Sequence, residues 1–238
     1  MNRRLYILVL LCFTVSAIAL PPILQRRLNP PVKAVVKAAA APPAGISYVQ
    51  GKGGLGTINA ASVTFDSTPT AGNVIVVGFA SYQLVSQGDV TDNKGNVYNL
   101  IVKDDAPYSS IFVASNIVSS PTFTVTVSHA SSYPAIACSE WSGVNNSSPV
   151  SGSGSNYVSS ATPSCPSLNV VGASVAILGI GDPKTMTQGA WATGLIYEYE
   201  ADGNSMSINC CYGTGTGSII HNWTATEGYY GLCAISLQ

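Results

Sequence analysis

Between Thr122 and Val127 polar and apolar residues alternate without a break, with Thr122, Thr124 and Thr126 set against Phe123, Val125 and Val127. A period of two puts the threonines on one side of an extended chain and the apolar residues on the other. That is a strand with one wet face and one buried face, and it cannot serve as a helical stripe. Further short apolar runs bounded by Gly, Pro, Asn and Ser occupy residues 57–65, 73–80, 96–102, 109–114, 134–141, 168–180, 190–199, 205–211, 218–223 and 229–237. About eleven strands with no sustained helical period predict an all-β fold. The expected architecture is a two-sheet sandwich of jelly-roll or Greek-key type, with a closed barrel as the alternative. Residues 168–180 read as a buried strand pair or one long bent strand. Residues 143–163, rich in Ser, Gly and Asn, read as a long surface loop with a short strand at Tyr157 and Val158. No internal repeat stands out.

Charge narrows the class further. Asp, Glu, Lys and Arg fill 9% of the 238 positions, against the ~25% usual in soluble domains, while 46% are hydrophobic. So many branched apolar residues exclude disorder for most of the chain. The abundance of Gly, Ser, Thr and Asn disfavours helix interiors. Arg3 and Arg4 precede an apolar stretch over residues 5–15, and Ala17 and Ala19 place small side chains where a signal peptidase cuts. Residues 1–19 therefore read as a secretory signal peptide, which marks the protein as secreted to the extracellular space or cell surface. No other membrane span is expected, since the most apolar internal run, residues 170–180, is broken by Gly172 and Gly179. Residues 20–44 form a proline-rich arm in which Pro21, Pro22, Pro30, Pro31, Pro42 and Pro43 oppose a continuous helix, although residues 32–41 have the propensity for a short one. The arm's charges are Arg26, Arg27, Lys33 and Lys37, or +4. Residues 45–238, a single sandwich domain, hold 4 lysines against 11 acids, or −7.

Five cysteines follow the signal: Cys138, Cys165, Cys210, Cys211 and Cys233. Export favours disulfides, and an odd count leaves a thiol free or paired between chains. Cys138 with Cys233, and Cys165 with Cys210 or Cys211, are the candidate pairs. Zinc spacing is absent, and only His129 and His221 could assist a thiolate site. The run Asp92-Asn93-Lys94-Gly95-Asn96 has the chemistry of a turn, in which Asp and Asn cap the backbone and Gly takes positive φ. Together with Asp89, and with Asp104 and Asp105 further on, it offers oxygen ligands. Asp89, Asp92, Asn93 and Asn96 are thus candidate calcium ligands, although no Glu closes an EF-hand loop. No other cofactor is expected.

Asn145, Asn146 and Asn222 stand in N-x-S/T acceptor patterns for glycans. Glu140 paired with Glu198 or Glu200 would need a carboxylate separation of about 5–9.5 Å for glycoside chemistry. The alternation Tyr197-Glu198-Tyr199-Glu200 reads instead as the outward acids of a strand, no G-x-S-x-G elbow exists, and no catalytic residue is expected. Tyr82, Tyr108, Tyr133, Trp191, Trp223, Tyr229 and Tyr230 are candidate platforms for stacking on sugar rings. The acidic body argues against nucleic acid.

Three segments in fixed order resemble a recurring β-sandwich module of bacterial secreted and surface proteins: Gly72-Asn73-Val74-Ile75-Val76-Val77, Val90-Thr91-Asp92-Asn93-Lys94-Gly95-Asn96-Val97-Tyr98, and Ser139-Glu140-Trp141-Ser142-Gly143. The terminal Gly231-Leu232-Cys233-Ala234-Ile235-Ser236-Leu237 is similar to the closing strand of that module. The resemblance spans roughly residues 57–238 and implies an exported sandwich with no chemistry attached. The cysteines and the short arm depart from it, which points to a stand-alone subunit. The expected function is a non-enzymatic structural subunit of a fibre, coat or matrix, forming a homo-oligomer or polymer in which the extended N-terminal arm adds a strand to a neighbour, with residues 45–50 or apolar parts of the arm as the donor. The alternative is a monomeric adhesin or carbohydrate-binding module that takes a cell-surface glycan.

Overall fold

A sheet covered on one side needs alternating strands, whereas a sheet covered on both needs strands that are apolar throughout. Both kinds occur here and sort into layers. The computed structural model describes residues 45–83, 85–104, 109–128, 134–180, 186–199, 206–226 and 228–238. The expected signal peptide and arm lie outside them, as do Asp105, Tyr108, His129, Tyr133 and Glu200.

The first half of the body contributes β1 (Ser47–Leu55), β2 (Ala60–Thr64), β3 (Val74–Ala80), β4 (Val90–Asp92), β5 (Asn99–Lys103), β6 (Ser109–Ala114), β7 (Thr124–Ser128) and β8 (Ala135–Ser142). These form an antiparallel five-stranded sheet, β1-β8-β3-β6-β5, and a three-stranded sheet, β2-β7-β4. The alternating run ends up in β7. Its valines are buried, while Thr124 and Thr126 meet Thr64 and Ser62 across the outer face at 2.8 and 2.9 Å. Every residue of β3 is buried, because its sheet is covered on both sides.

The second half contributes β9 (Val150–Ser159), β10 (Leu168–Val170), β11 (Ala173–Ile180), β12 (Met186–Gln188), β13 (Gly194–Tyr199), β14 (Ser207–Thr214), β15 (Gly217–Ile219), β16 (Trp223–Ala225) and β17 (Tyr229–Leu237). Its large sheet runs β13-β14-β11-β17-β9, capped by the pairs β10-β15 and β12-β16. Among the described residues there is no helix, and the all-β sandwich expected from sequence is the fold. The described residues form seventeen strands rather than about eleven, since three-residue strands such as β4, β10 and β12 carry too few residues to show a period. Residues 150–159, expected to be mostly loop, form the ten-residue β9. Its backbone pairs with β17 along its length, and ladder bonds do not require apolar side chains.

Three cores separate the layers. Ile75, Val77 and Phe79 of β3 pack with Phe123, Val125 and Val127 between the first two sheets. Val74 and Val76 of β3 pack with Val175, Ile177 and Ile235 between the two large sheets. Ala176, Leu178 and Leu232 pack with Trp223 and Met186 under the second cap. The central layer is tied further by Trp141, which meets Tyr48 and Tyr212 edge to face at 5.5 and 5.4 Å while those two tyrosines stack at 4.4 Å. Ser109 Oγ also donates across this layer to Gly231 O at 2.9 Å.

The second half repeats the topology of the first. The order β1-β8-β3-β6-β5 maps onto β9-β17-β11-β14-β13, and β2, β7 and β4 map onto β10, β15 with β16, and β12. Even the irregularities recur. Between β5 and β6 the register skips Ile101, with Leu100 opposite Phe112 and Val102 opposite Ile111. Between β13 and β14 it skips Ile196, with Leu195 opposite Cys211 and Tyr197 opposite Cys210. Val49 is skipped between β1 and β8, and Ser151 between β9 and β17. Phe65 N–H donates to Phe123 O at 3.1 Å in one half, and Cys165 N–H to His221 O at 2.8 Å in the other. The sequence suggested no repeat because register and bulges are shared while the side chains are not.

Candidate interaction site

The acidic turn is complete without a metal. Asp92 Oδ1 accepts the N–H groups of Lys94 (2.8 Å) and Asn96 (3.2 Å), and Oδ2 accepts Asn96 Nδ2 (2.7 Å) and the Tyr98 hydroxyl (2.9 Å). Gly95 takes the positive φ, 75°, that the turn requires. Asn93 bridges Thr122 O and Thr124 N–H, Asn96 Oδ1 accepts Val118 N–H at 2.7 Å, and Asp89 Oδ2 accepts Ser86 N–H at 2.7 Å. Of the residues expected to ligate calcium, Asp92 thus has both carboxylate oxygens taken by donors, Asp89, Asn93 and Asn96 each accept one N–H, and the turn fastens β4 to the buried Tyr98. Burial pushes the Tyr98 hydroxyl pKa up, and Asp92 beside it adds to the rise. Asp104 lies elsewhere, beside Cys165 and Cys233. Among the described residues no three His, Cys, Asp or Glu side chains are grouped to hold a metal.

The cysteine pairings are corrected as well. All five are buried free thiols. Cys138 belongs to the core between the first half's two sheets, whereas Cys233 belongs to the central core, so a sheet separates them. Cys210 faces the central core and Cys165 the second cap. Burial pushes every one of these thiols up, Cys165 and Cys211 to about 12, which leaves them protonated and unreactive.

Glu140 is fully buried and held by Thr70 N–H (2.7 Å), Asn73 Nδ2 (2.6 Å) and Gln50 Nε2 (2.7 Å). It clamps the β2–β3 loop onto β8, and Glu198 lies exposed on β13. Asn209 organises a second polar knot. Its Oδ1 accepts Trp223 Nε1 and the Cys211 thiol, both at 2.9 Å, and its Nδ2 donates to Glu198 Oε1 at 3.0 Å. His221 sits in the same region with its ring edge to face against Trp191 at 4.4 Å. It is fully buried, neither ring nitrogen has a partner among the described residues, and burial lowers its pKa to about 4. Neither knot presents a nucleophile to a reaction site.

The surface is more informative. Asn145 and Asn146 are exposed beside β9, although Asn146 spans Asn116 N–H and Gly72 O, and Asn222 is exposed beside Trp191. Of the expected aromatic platforms, Trp223 and Tyr230 are core residues, while Tyr82 and Tyr229 are exposed. Tyr157, not among those expected, stacks on Tyr229 at 5.8 Å, with the two 47% and 62% exposed. Both lie at the outer edge of the second large sheet.

The large sheets end in four outer strands, β1, β5, β13 and β9. An outer strand leaves a row of N–H and C=O groups open to pairing, and proteins usually guard it with charge, proline, brevity or bulges. β1 contains Lys52, which is ion-paired with Asp66; β5 has five residues and ends in Lys103; β13 contains Glu198. β9 has ten residues, no charge and no proline, and only Ser151 near its start interrupts its register. A cleft of about 590 Å³, lined by Ile46, Val144, Val171 and Gln238 among others, opens where the described chain begins at Gly45. A Ser- and Gly-rich tract resembles a loop in sequence, so this edge was legible only as a pair of residues at Tyr157 and Val158. No family model, no curated protein and no solved structure matches the chain.

Proposed function

We propose that the protein is a non-enzymatic structural subunit of an extracellular or cell-surface assembly, and that it associates with copies of itself. The observation that carries this reading is the unguarded β9 edge, ten residues long and uncharged, whereas the other three outer strands of the two large sheets all carry charge. A surface with few charges also loses little through desolvation when subunits pack. The resemblance to secreted sandwich modules and the export signal at residues 1–19 agree with this setting. The exposed Tyr157–Tyr229 stack favours a second reading, a monomeric module that lays a sugar ring on the tyrosines. Light scattering and negative-stain microscopy of the chain from Leu20 onward separate the two. Regular particles or fibres are expected; a monomer at every concentration, with glycan binding lost in Tyr229→Ala, would establish the second reading instead.

A further inference from the structure

The β9 edge has a definite polarity of pairing. Ser160 N–H donates to Gly228 O at 3.1 Å, and the register continues with Ser159 opposite Tyr229 and Val158 opposite Tyr230. In an antiparallel ladder, bonded and non-bonded pairs alternate. Residues 152, 154, 156 and 158 therefore turn their N–H and C=O groups toward β17. Ser153, Ser155, Tyr157 and Ser159 turn theirs away from the sheet, where β9 has no neighbouring strand among the described residues. The cap does not close this side: Pro166 and Leu168 stand over the face of β9, at Gly154, rather than beside its edge.

We infer that this edge accepts residues 32–41 of a neighbouring copy as an added strand, an inference that rests on the assembly reading above. The segment Val32-Lys33-Ala34-Val35-Val36-Lys37-Ala38-Ala39-Ala40-Ala41 is free of proline and has the ten-residue length of β9. Pro30-Pro31 and Pro42-Pro43 bracket it, so the strand it can form begins and ends there. Val32, Ala34 and Val36 fall on one face and Lys33 and Lys37 on the other, a period that a strand can use. Charge favours attachment of the arm to a body of this chain, since the arm carries +4 and residues 45–238 carry −7. Main-chain bonds to the four outward residues supply the affinity, as in other cases of strand addition.

The test compares the chain from Leu20 onward with a chain beginning at Gly45 and with Ser155→Pro. The proline removes an outward N–H and leaves the bonds to β17 in place. Assembly of the first, loss of the high-mass species in the other two, and unchanged melting of Ser155→Pro are expected. Amide exchange supplies a measurement independent of that variant's folding. Ser155 and Tyr157 amides are slow in the assembled chain and at least tenfold faster in the chain lacking the arm. If the long chain assembles but these amides exchange equally fast in both chains, the edge is not the acceptor and the assembly reading survives. If the chain beginning at Gly45 still assembles with slow β9 amides, β9 pairs with a second β9 and the donor is wrong. A monomer whose β9 amides are slow only with the arm present places the strand in its own chain. A monomer with fast amides overturns both this inference and the assembly reading.

Discussion

The two halves of the body fold the same way around different materials. In the first, the layer under the outer sheet is Phe65, Phe123, Val125 and Phe112, apolar throughout. In the second, the register places Cys165, His221, Trp223 and Cys211 at the corresponding points. The first half therefore covers its outer sheet with a layer dominated by apolar burial, its polar contacts lying in the Asp92 turn at the end of β4. The second needs Asn209 to satisfy the Trp223 indole and the Cys211 thiol, and it leaves both ring nitrogens of His221 without a hydrogen-bond partner among the described residues. Strand order and bulges are thus properties of backbone pairing that tolerate a large change in core chemistry, while stability and its dependence on conditions follow the side chains. The clamps differ in the same way. Glu140 receives three donors at the end of β8, whereas Ser236, in register with it on β17, receives Val171 N–H at 3.3 Å and meets Ser151 Oγ at 2.8 Å.

The largest expected effect separates the two outer layers directly. Phe123→Ala opens a cavity among residues that cannot collapse into it and should cost about 3–5 kcal/mol. Cys165→Ala, at the position matching Phe65, removes one small group and should cost about 1 kcal/mol. Urea midpoints at constant slope measure both. Equal costs would mean that the second half's outer layer is packed as tightly as the first and that the comparison is wrong.

Acid should distinguish the halves next. His221 is buried with a pKa of about 4, against the ordinary 6.5, so the unfolded chain takes up a proton before the folded one does. The stability this lends is complete above pH 6.5 and is lost as pH falls toward 4, by about 3 kcal/mol at the lower end. His221→Phe, which copies the first half's Phe123, should remove that part of the acid slope. A slope that persists unchanged in His221→Phe would assign the acid sensitivity to other groups.

The comparison also explains what could be read from the chain and what could not. The alternating threonines and the apolar run of β3 make the strand class legible, because burial on one face or two writes directly into residue order. The acidic turn was legible as a turn, but its partners were not: the same oxygens that can bind calcium also cap N–H groups, and residue order does not say which they meet. β9 was hidden because a strand held by its backbone at a sheet edge places little demand on its side chains. The repeat was hidden for the related reason that Phe112 and Cys211, or Glu140 and Ser236, share a register and nothing else.

The last contrast concerns the aspartate-capped turn after β4 in the first half. Asp92 is the last β4 residue paired with β7, opposite Val125, and Gln188 occupies the matching place at the end of β12, opposite Trp223. The four donors on Asp92 mean that Asp92→Asn, which turns an amide N–H₂ toward groups that themselves donate, should cost about 1–3 kcal/mol. Millimolar calcium has no free carboxylate lone pair to meet there, so it should leave the melting temperature of both the native chain and Asp92→Asn unchanged, and a chelator should do the same. A calcium-dependent rise in melting that vanishes in Asp92→Asn would show that the ion displaces the N–H caps. Asp92 would then become a ligand, and the difference between the halves would extend from packing to metal binding.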